Sequence, residues 1–132
     1  MEKLAVKTDR RTQLLDITAA VRSAGESGPG SAVVLFVPHT TAGLVIQASG
    51  EGATRVASDI ESALERLVDE GWSYEHVHEG DRNPWSHVRA ALMASSLTIP
   101  LVEGKLALGD LQAVFLCEFD GPRERTVFVS VI

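Results

Sequence analysis

Four histidines offer the side chains best suited to chemistry in this chain, at positions 39, 76, 78 and 87. Imidazole is a common ligand for zinc-like metals and the usual general acid or base near neutral pH. His39 heads a polar loop directly after an apolar run, where binding and catalytic residues are often held. We therefore treat the four histidines as one hypothetical site.

His76 and His78 form a candidate pair. If residues 74–78 are extended, Tyr74, His76 and His78 share one side of the chain, and a His-x-His pair offers two ligands to one metal. The alternative is that both histidines are exposed residues of a strand or loop, because nothing local forces them together.

The loop that follows His39 carries groups that suit an anion. Thr40 and Thr41 add hydroxyls, and Gly43 permits a tight turn that aims backbone amides at a ligand. A capped turn is the ordinary alternative for the same residues.

A second polar group lies near the C-terminus. Glu118 shares a strand side with apolar residues, so it is either an edge charge or a buried carboxylate that needs a partner. Arg123 and Arg125 are near enough to pair with it, and such a pair either is structural or positions a phosphate-bearing ligand. Cys117 shares the other strand side with two phenylalanines, which indicates a core residue and not a nucleophile.

Strands at both ends of the chain must position these groups. Apolar and β-branched runs predict strands at residues 2–7, 12–17, 32–37, 44–47, 105–108, 113–119 and 126–131. The first two runs predict an opening hairpin, and the turn at 120–123 predicts a closing one. The run at 32–37 is apolar throughout, which is typical of a central strand covered on both faces.

Helices occupy the middle of the chain. Residues 52–70 have apolar side chains at helical spacing, and Gly71 follows as a C-terminal stop. A shorter helix is predicted at 84–94, where Asn83 resembles the N-cap. It carries bulky side chains on one side and His87 among alanines on the other, so we expect it to be covered on both sides.

Length and composition narrow the class of protein. A chain of 132 residues suits a single domain over residues 1–132, and strands without a regular strand-helix-strand repeat favour an antiparallel α+β fold. The net charge of -6 disfavours nucleic acid as a partner, although Arg10, Arg11, Arg123 and Arg125 could still hold one small anion. No apolar run is long enough to span a membrane, and charges interrupt the start where a secretory signal would be apolar, so we expect a cytoplasmic protein with no membrane partner.

Six short sequence motifs follow one another in a specific order along the chain. They are HTTAGL at 39–44, YEH at 74–76, SHV at 86–88, SSLTIP at 95–100, LALG at 106–109 and EFDGPRER at 118–125. In this order they resemble the YjbQ-like family, also known as the secondary thiamine-phosphate synthase family. The resemblance implies a mainly antiparallel, jelly-roll-like β-sandwich with two to three flanking helices, assembled as a homotrimer with sites near subunit boundaries.

The family name also implies a function, namely a weak thiamine-phosphate synthase. This transferase joins thiazole phosphate to a pyrimidine diphosphate with loss of pyrophosphate. The resemblance makes His39 and His87 the catalytic candidates, and His39, His76 and His87 the candidate ligands of a divalent zinc or magnesium ion. The residues expected to bind the phosphorylated substrate are Thr40, Thr41, Gly43, Glu118, Arg123 and Arg125.

Three segments depart from the family pattern, at 47–49, 81–85 and 110–112. The first lacks a carboxylate that could bind a metal or act as a base, for which Glu51 is a nearby substitute. Two alternative functions therefore stay open. One is a non-catalytic trimer that binds a metal or small anion, and the other is a metal-assisted hydrolase.

Overall fold

The computed structural model describes residues 1–51, 53–76 and 83–132. The strands are β1 (Glu2–Lys7), β2 (Gln13–Asp16), β3 (Ala32–Phe36), β4 (Ala42–Ala48), β5 (Ser96–Val102), β6 (Lys105–Leu106), β7 (Gln112–Glu118) and β8 (Glu124–Val131). The helices are α1 (Thr18–Gly25), α2 (Ala53–Leu67) and α3 (Trp85–Ala91). Within these described residues, no helix is long and apolar enough to cross a membrane.

The strands form two antiparallel sheets that share a core. One sheet has the strand order β1-β8-β3-β5-β6, and the other has the order β2-β7-β4. Val33 and Leu35 from the first sheet pack with Leu44 and Leu116 from the second. The sheets curl into a half-barrel, so the α+β class and the antiparallel pairing are confirmed, and the three helices of the described residues agree with the predicted two to three. The arrangement is more open than the predicted jelly-roll sandwich.

Both predicted hairpins are wrong. β1 pairs with β8 and β2 pairs with β7, so the first two strands lie in different sheets. The turn at 120–123 joins β7 to β8, which also lie in different sheets. Each turn carries the chain across the fold because the flanking apolar residues belong to different cores: Val6 packs between the sheets, and Leu14 packs under α2.

Strand β3 lies at the centre of its sheet, as predicted, but the chain covers only one of its faces. Leu35 is fully buried, whereas Phe36 on the opposite face is 43% exposed and stacks on Phe128. The strand buried on both faces is β7, in which every side chain from Ala113 to Glu118 is buried. Strand β5 was not predicted from the sequence, because its proline and polar residues interrupt the apolar run.

Helix α2 covers the outer face of the three-stranded sheet, as its apolar stripe predicts. Leu64 packs with Phe115, Cys117 and Phe119 in a second core. Burial raises the pKa of the Cys117 thiol to about 12. The thiolate is therefore not formed near neutral pH, and the predicted core role of Cys117 is confirmed.

Helix α3 was predicted to be covered on both sides, and within this chain its bulky side is only partly covered. Val88 and Leu92 are 38% and 56% exposed, whereas Arg89 is buried. The Arg89 guanidinium donates from Nε and Nη2 to the Val68 carbonyl, at 3.3 and 2.9 Å. This contact satisfies a carbonyl left open at the end of α2. A buried arginine thus anchors α3, while Val88 and Leu92 stay exposed within the chain and Trp85 is half-buried.

Gly121 lies where the turn before β8 meets the turn after β1. An added Cβ would collide with the Arg10 carbonyl oxygen and would stand 2.8 Å from Cγ of Glu118. We expect Gly121→Ala to lower the free energy of unfolding by about 1–3 kcal/mol, because backbone atoms must shift to admit a methyl group. Urea denaturation measures this loss. Gly28→Ala is the control, since nothing lies within 4 Å of its added Cβ, and equal effects of the two changes would contradict the packing argument.

Candidate functional site

His39 stands just after β3 and is held by a hydrogen bond to β8. The backbone N–H of Thr126 donates to its Nε2 at 2.9 Å. A backbone N–H donates only to an unprotonated nitrogen, so the ring is neutral and carries its proton on Nδ1. Burial lowers the pKa of His39, and the positive charge of Arg125 lowers it further. His39 therefore offers a ligand an N–H donor and not a lone pair.

This lowered pKa predicts how stability depends on pH. Because folding favours neutral His39, its contribution is present above the ordinary pKa of 6.5 and is lost as the pH falls below that value. His39→Gln keeps a hydrogen-bond acceptor without a titrating ring, so we expect it to flatten the pH dependence of the free energy of unfolding in this range. Urea denaturation of both proteins between about pH 5 and 8 measures the difference. Identical slopes would mean that folding leaves the protonation of His39 unchanged.

Arg125 approaches His39 from β8 and is fixed by Glu118. The Glu118 carboxylate accepts from Arg125 Nε at 2.9 Å and makes a closer contact with Nη2. The Thr8 hydroxyl donates to the same carboxylate at 2.7 Å, and the next two backbone N–H groups each donate to it at 3.1 Å. Arg125 Nη2 also donates to the Thr41 hydroxyl at 2.8 Å. This network holds the guanidinium in one orientation.

Glu118 was predicted to contact substrate, but the structure places it behind Arg125. Its side chain is fully buried and does not line the cleft described below. A carboxylate in this position would in any case repel a phosphate. Glu118 is therefore a positioning residue for Arg125.

Hydrogen bonds in the turn between β7 and β8 link Arg123, through Asp120, to the residue just before α3. Arg123 donates from Nη2 to the Asp120 carboxylate at 2.7 Å and from Nε to the Asp120 carbonyl at 2.8 Å. The other carboxylate oxygen of Asp120 accepts from the Asn83 side chain. Asn83 was predicted to be the N-cap of α3, but its side chain binds Asp120 instead. The N-cap is Pro84, and no side chain makes a capping hydrogen bond there. Asp120 keeps Arg123 beside the helix that carries His87.

These side chains line one part of a cleft that has two adjoining parts. This part has a volume of about 550 Å³, and we call it the polar half of the cleft. Its walls are Pro38, His39, Thr40, Thr41, His76, His87, Asp120, Arg123 and Arg125. The rings of His76 and His87 meet edge to face, with centroids 5.1 Å apart. Among the described residues, no hydrogen bond uses Nη1 of Arg123 or Arg125. Both nitrogens can therefore donate to an anion.

A second cavity of about 420 Å³ adjoins the first, and we call it the apolar half. It shares His39, Thr40 and His87 with the polar half. Its other walls are Ala42, Ala90, Ala91, Met93 and Ser95. The face of α3 on which the sequence placed His87 among alanines thus lines this part of the cleft.

His39 as placed does not fit the role of a metal ligand. Nε2 of His39 accepts from Thr126, and Nδ1 carries the ring proton, so neither nitrogen presents a lone pair. In the part of the chain that the structure describes, no three His, Cys, Asp or Glu side chains are grouped to hold an ion. Glu51 lines neither half of the cleft, and His78 lies outside the described residues.

Gly43 was predicted to shape an anion-binding turn, but it lies within β4. An added Cβ would stand 2.7 Å from Cβ of Met93 and 3.0 Å from the Ala94 carbonyl oxygen. The Leu44 N–H donates to that carbonyl at 2.7 Å. Gly43 therefore lets the segment after α3 approach the sheet. Its role is packing, in contrast to the exposed Thr40 in the cleft wall.

Three residues that support the site were not predicted from the sequence: Thr8, Asn83 and Asp120. Thr8 is 1% exposed, and its hydroxyl bridges β1 to the Glu118 carboxylate. Nothing local marks this role, because the partner lies 110 positions away. Asp120 did carry a signal, since an acidic residue three positions before Arg123 in a turn can pair with it.

Comparisons with known proteins agree on one family. The family model described as UPF0047 protein YjbQ-like matches residues 2–132. A UPF0047 protein of Archaeoglobus fulgidus is 40% identical over 130 residues, which cover 98% of this chain and 99% of the relative. YugU of Bacillus subtilis, also a UPF0047 protein, is 33% identical over 138 residues, covering 100% of this chain and 98% of the relative.

Solved structures give the same result. A yjbq/upf0047 family protein from Clostridium acetobutylicum superposes with a TM-score of 0.90 at 36% identity and full coverage of both chains. The protein APE1520 from Aeropyrum pernix superposes with a TM-score of 0.89 at 34% identity, covering 100% of this chain and 98% of the other. Sequence and fold therefore place this chain in the YjbQ-like UPF0047 family.

Proposed function

We propose that the polar half of the cleft binds the phosphoryl group of a small phosphorylated molecule. The observation that carries this proposal is that Arg123, Arg125 and His39 line one cleft, and that each has an N–H group for which the described residues show no acceptor. Guanidinium and imidazole N–H groups suit phosphate oxygens. Carboxylates already hold both arginines, which offsets part of their charge but fixes their geometry before a ligand arrives.

The reaction proposed for this site is a slow formation of thiamine phosphate. The ring nitrogen of thiazole phosphate attacks the methylene carbon of the pyrimidine diphosphate. A C–N bond forms, the C–O bond breaks, and its electron pair leaves with pyrophosphate. Negative charge grows on the leaving oxygen in the transition state, so donors aimed at that oxygen lower the barrier. Arg123, Arg125 and the ring N–H of His39 are the groups proposed to supply this stabilisation.

An assay with the purified protein tests the reaction. Thiazole phosphate and pyrimidine diphosphate are supplied with and without added zinc or magnesium, and thiamine phosphate is measured by chromatography. We expect product from the unaltered protein and a fall in rate of about 100-fold in Arg123→Ala, because a donor to the leaving group is lost. His87→Ala should also reduce the rate, whereas Arg66→Ala, on the exposed face of α2, should not.

The alternatives give different outcomes in the same assay. Phosphate binding without turnover would favour a non-catalytic anion-binding module. Turnover or hydrolysis that requires the added metal would favour metal-assisted chemistry. Absence of both binding and turnover would overturn the proposed function.

A homotrimer is the proposed assembly. The outer face of the five-stranded sheet presents Phe36 and Val102, which are 43% and 60% exposed, and Lys3 lies over the ring of Phe128 at 5.7 Å. Exposed apolar surface of this kind suits a subunit contact. Light scattering should give the mass of three chains for the unaltered protein and a lower mass for Phe36→Glu. A monomeric unaltered protein would refute this assembly.

A further inference from the structure

We infer that Asp120 makes the polar half selective for a phosphoryl group that carries a proton, because its carboxylate is a hydrogen-bond acceptor in a cleft whose arginines donate. This inference rests on the proposed function, since it takes the polar half as the phosphoryl site. What it adds is the protonation state of the bound group. It also predicts that the site rejects sulfate, which has the shape of phosphate but no proton to donate.

The two carboxylates that hold the arginines are placed differently. Glu118 is fully buried behind Arg125, whereas Asp120 lines the cleft and its side chain is 16% exposed. A carboxylate in the wall repels an approaching anion. A neutral side chain with a carbonyl oxygen could hold Arg123 equally well without this repulsion. The negative charge in the wall therefore calls for a second role.

The two carboxylates also differ in how far their hydrogen-bonding capacity is used. An ionised carboxylate accepts at about four lone-pair positions. Glu118 fills its positions with the Thr8 hydroxyl, the Arg125 guanidinium and the next two backbone N–H groups. Among the described residues, Asp120 accepts only from Asn83 and from Nη2 of Arg123. The carboxylate that lines the cleft is thus the one that can still accept a hydrogen bond.

The pairing of Asp120 with Arg123 places this acceptor next to the bound anion. Nη2 of Arg123 donates to the carboxylate at 2.7 Å, and Nη1 of the same guanidinium is the nitrogen left for a ligand. A tetrahedral anion held by Nη1 therefore lies beside the carboxylate. A deprotonated oxygen is repelled there, whereas a P–OH group donates a charge-assisted hydrogen bond. Sites built to bind a hydroxyl in this way reject analogues that lack it.

Calorimetric titration with inorganic phosphate and with sulfate tests the inference. At slightly alkaline pH, phosphate is mainly the hydrogen phosphate dianion, so the two anions have equal charge and differ in the P–OH donor. We expect the unaltered protein to bind phosphate about 10-fold more tightly than sulfate, as for one hydrogen bond to a charged group. Equal affinities, or tighter binding of sulfate, would overturn the inference. This comparison needs no variant, so it does not depend on how a substitution affects folding.

The variant Asp120→Asn tests which residue makes the distinction. Its amide carbonyl can still accept from Arg123, and the Asn83 amide can turn to accept from the new NH₂ group. Sulfate should bind more tightly because the repulsion is gone, and the ratio of the two affinities should fall to about 1. If Asp120 only held Arg123 in place, both affinities would change by the same factor. An unchanged ratio would therefore overturn the inference.

A control variant removes the same charge elsewhere. Glu65 is exposed on α2 and lines neither half of the cleft. We expect Glu65→Gln to keep the preference for phosphate over sulfate. If it lost the preference, the overall charge of the protein and not Asp120 would be responsible, and the inference would be overturned.

A third titration, with inorganic pyrophosphate, separates this inference from the proposed function. If neither phosphate nor pyrophosphate binds, the proposed function is lost, and the inference is lost with it. If they bind but sulfate binds equally well, only the selectivity assigned to Asp120 is overturned. With the preference over sulfate in place, pyrophosphate that binds more tightly than phosphate identifies the protonated group as the end of a diphosphate. Weaker binding of pyrophosphate identifies a single phosphate.

Discussion

Replacement of Glu118 by alanine is expected to lower the free energy of unfolding by about 3–5 kcal/mol, the usual loss when one partner of a buried ion pair is removed. The side chains of Glu118 and Arg125 are 0% and 4% exposed. Without the carboxylate, the guanidinium keeps its charge in the interior, and Thr8 and two backbone N–H groups lose an acceptor. Urea denaturation measures the change.

Two further variants separate the ion pair from a general effect of substitution. Glu124→Ala removes an exposed carboxylate from β8, beside Arg125 in the sequence, and should cost little. The double variant Glu118→Leu with Arg125→Met removes both charges, so it should be less destabilised than Glu118→Ala alone. A loss below about 1 kcal/mol for Glu118→Ala would indicate a solvated pair and a loosely held Arg125.

Arg123→Ala is expected to weaken the binding of inorganic pyrophosphate by about 10- to 100-fold, the typical value of a hydrogen bond to a charged group. The Arg123 side chain is 54% exposed, so its loss should affect affinity more than folding. Isothermal titration calorimetry measures the change. The binding should also weaken as the salt concentration rises, since an exposed arginine is screened by ions.

Conservative and distant substitutions give this prediction its controls. Arg123→Lys keeps a positive charge but loses the planar fork, so it should restore only part of the affinity. Arg66→Ala removes an exposed arginine of α2 and should leave binding unchanged. Equal affinities for the unaltered protein and Arg123→Ala would exclude Arg123 as a phosphate contact.

The elements that the sequence predicts well are those whose patterns are local. The apolar stripe of α2, the core position of Cys117 and the alanine face of α3 all follow from periodicity. Strand pairing does not, because β1 finds its partner β8 at the other end of the chain. An alternating pattern says which side of a strand is buried but not which strand lies beside it.

In the candidate site, too, local sequence patterns predict which residues take part, whereas the role of each residue depends on distant contacts. The sequence predicts His39, Arg123 and Arg125 as site residues, and the structure gathers them around one cleft. It cannot predict the ring nitrogen that His39 presents, because that depends on the backbone of Thr126, 87 positions away. Nor does a residue list distinguish Arg125, which lines the cleft, from Glu118, which is buried behind it. These roles arise from contacts between distant segments.

The most direct test of the phosphoryl site is a titration with inorganic pyrophosphate, followed through the ring resonances of the histidines by nuclear magnetic resonance. His39→Gln and His87→Gln assign the two signals. We predict that both signals shift along one saturating curve, and that Arg123→Ala moves this curve to higher pyrophosphate concentration. Rings of His39 and His87 that stay unperturbed throughout the titration would contradict a phosphoryl site in this cleft.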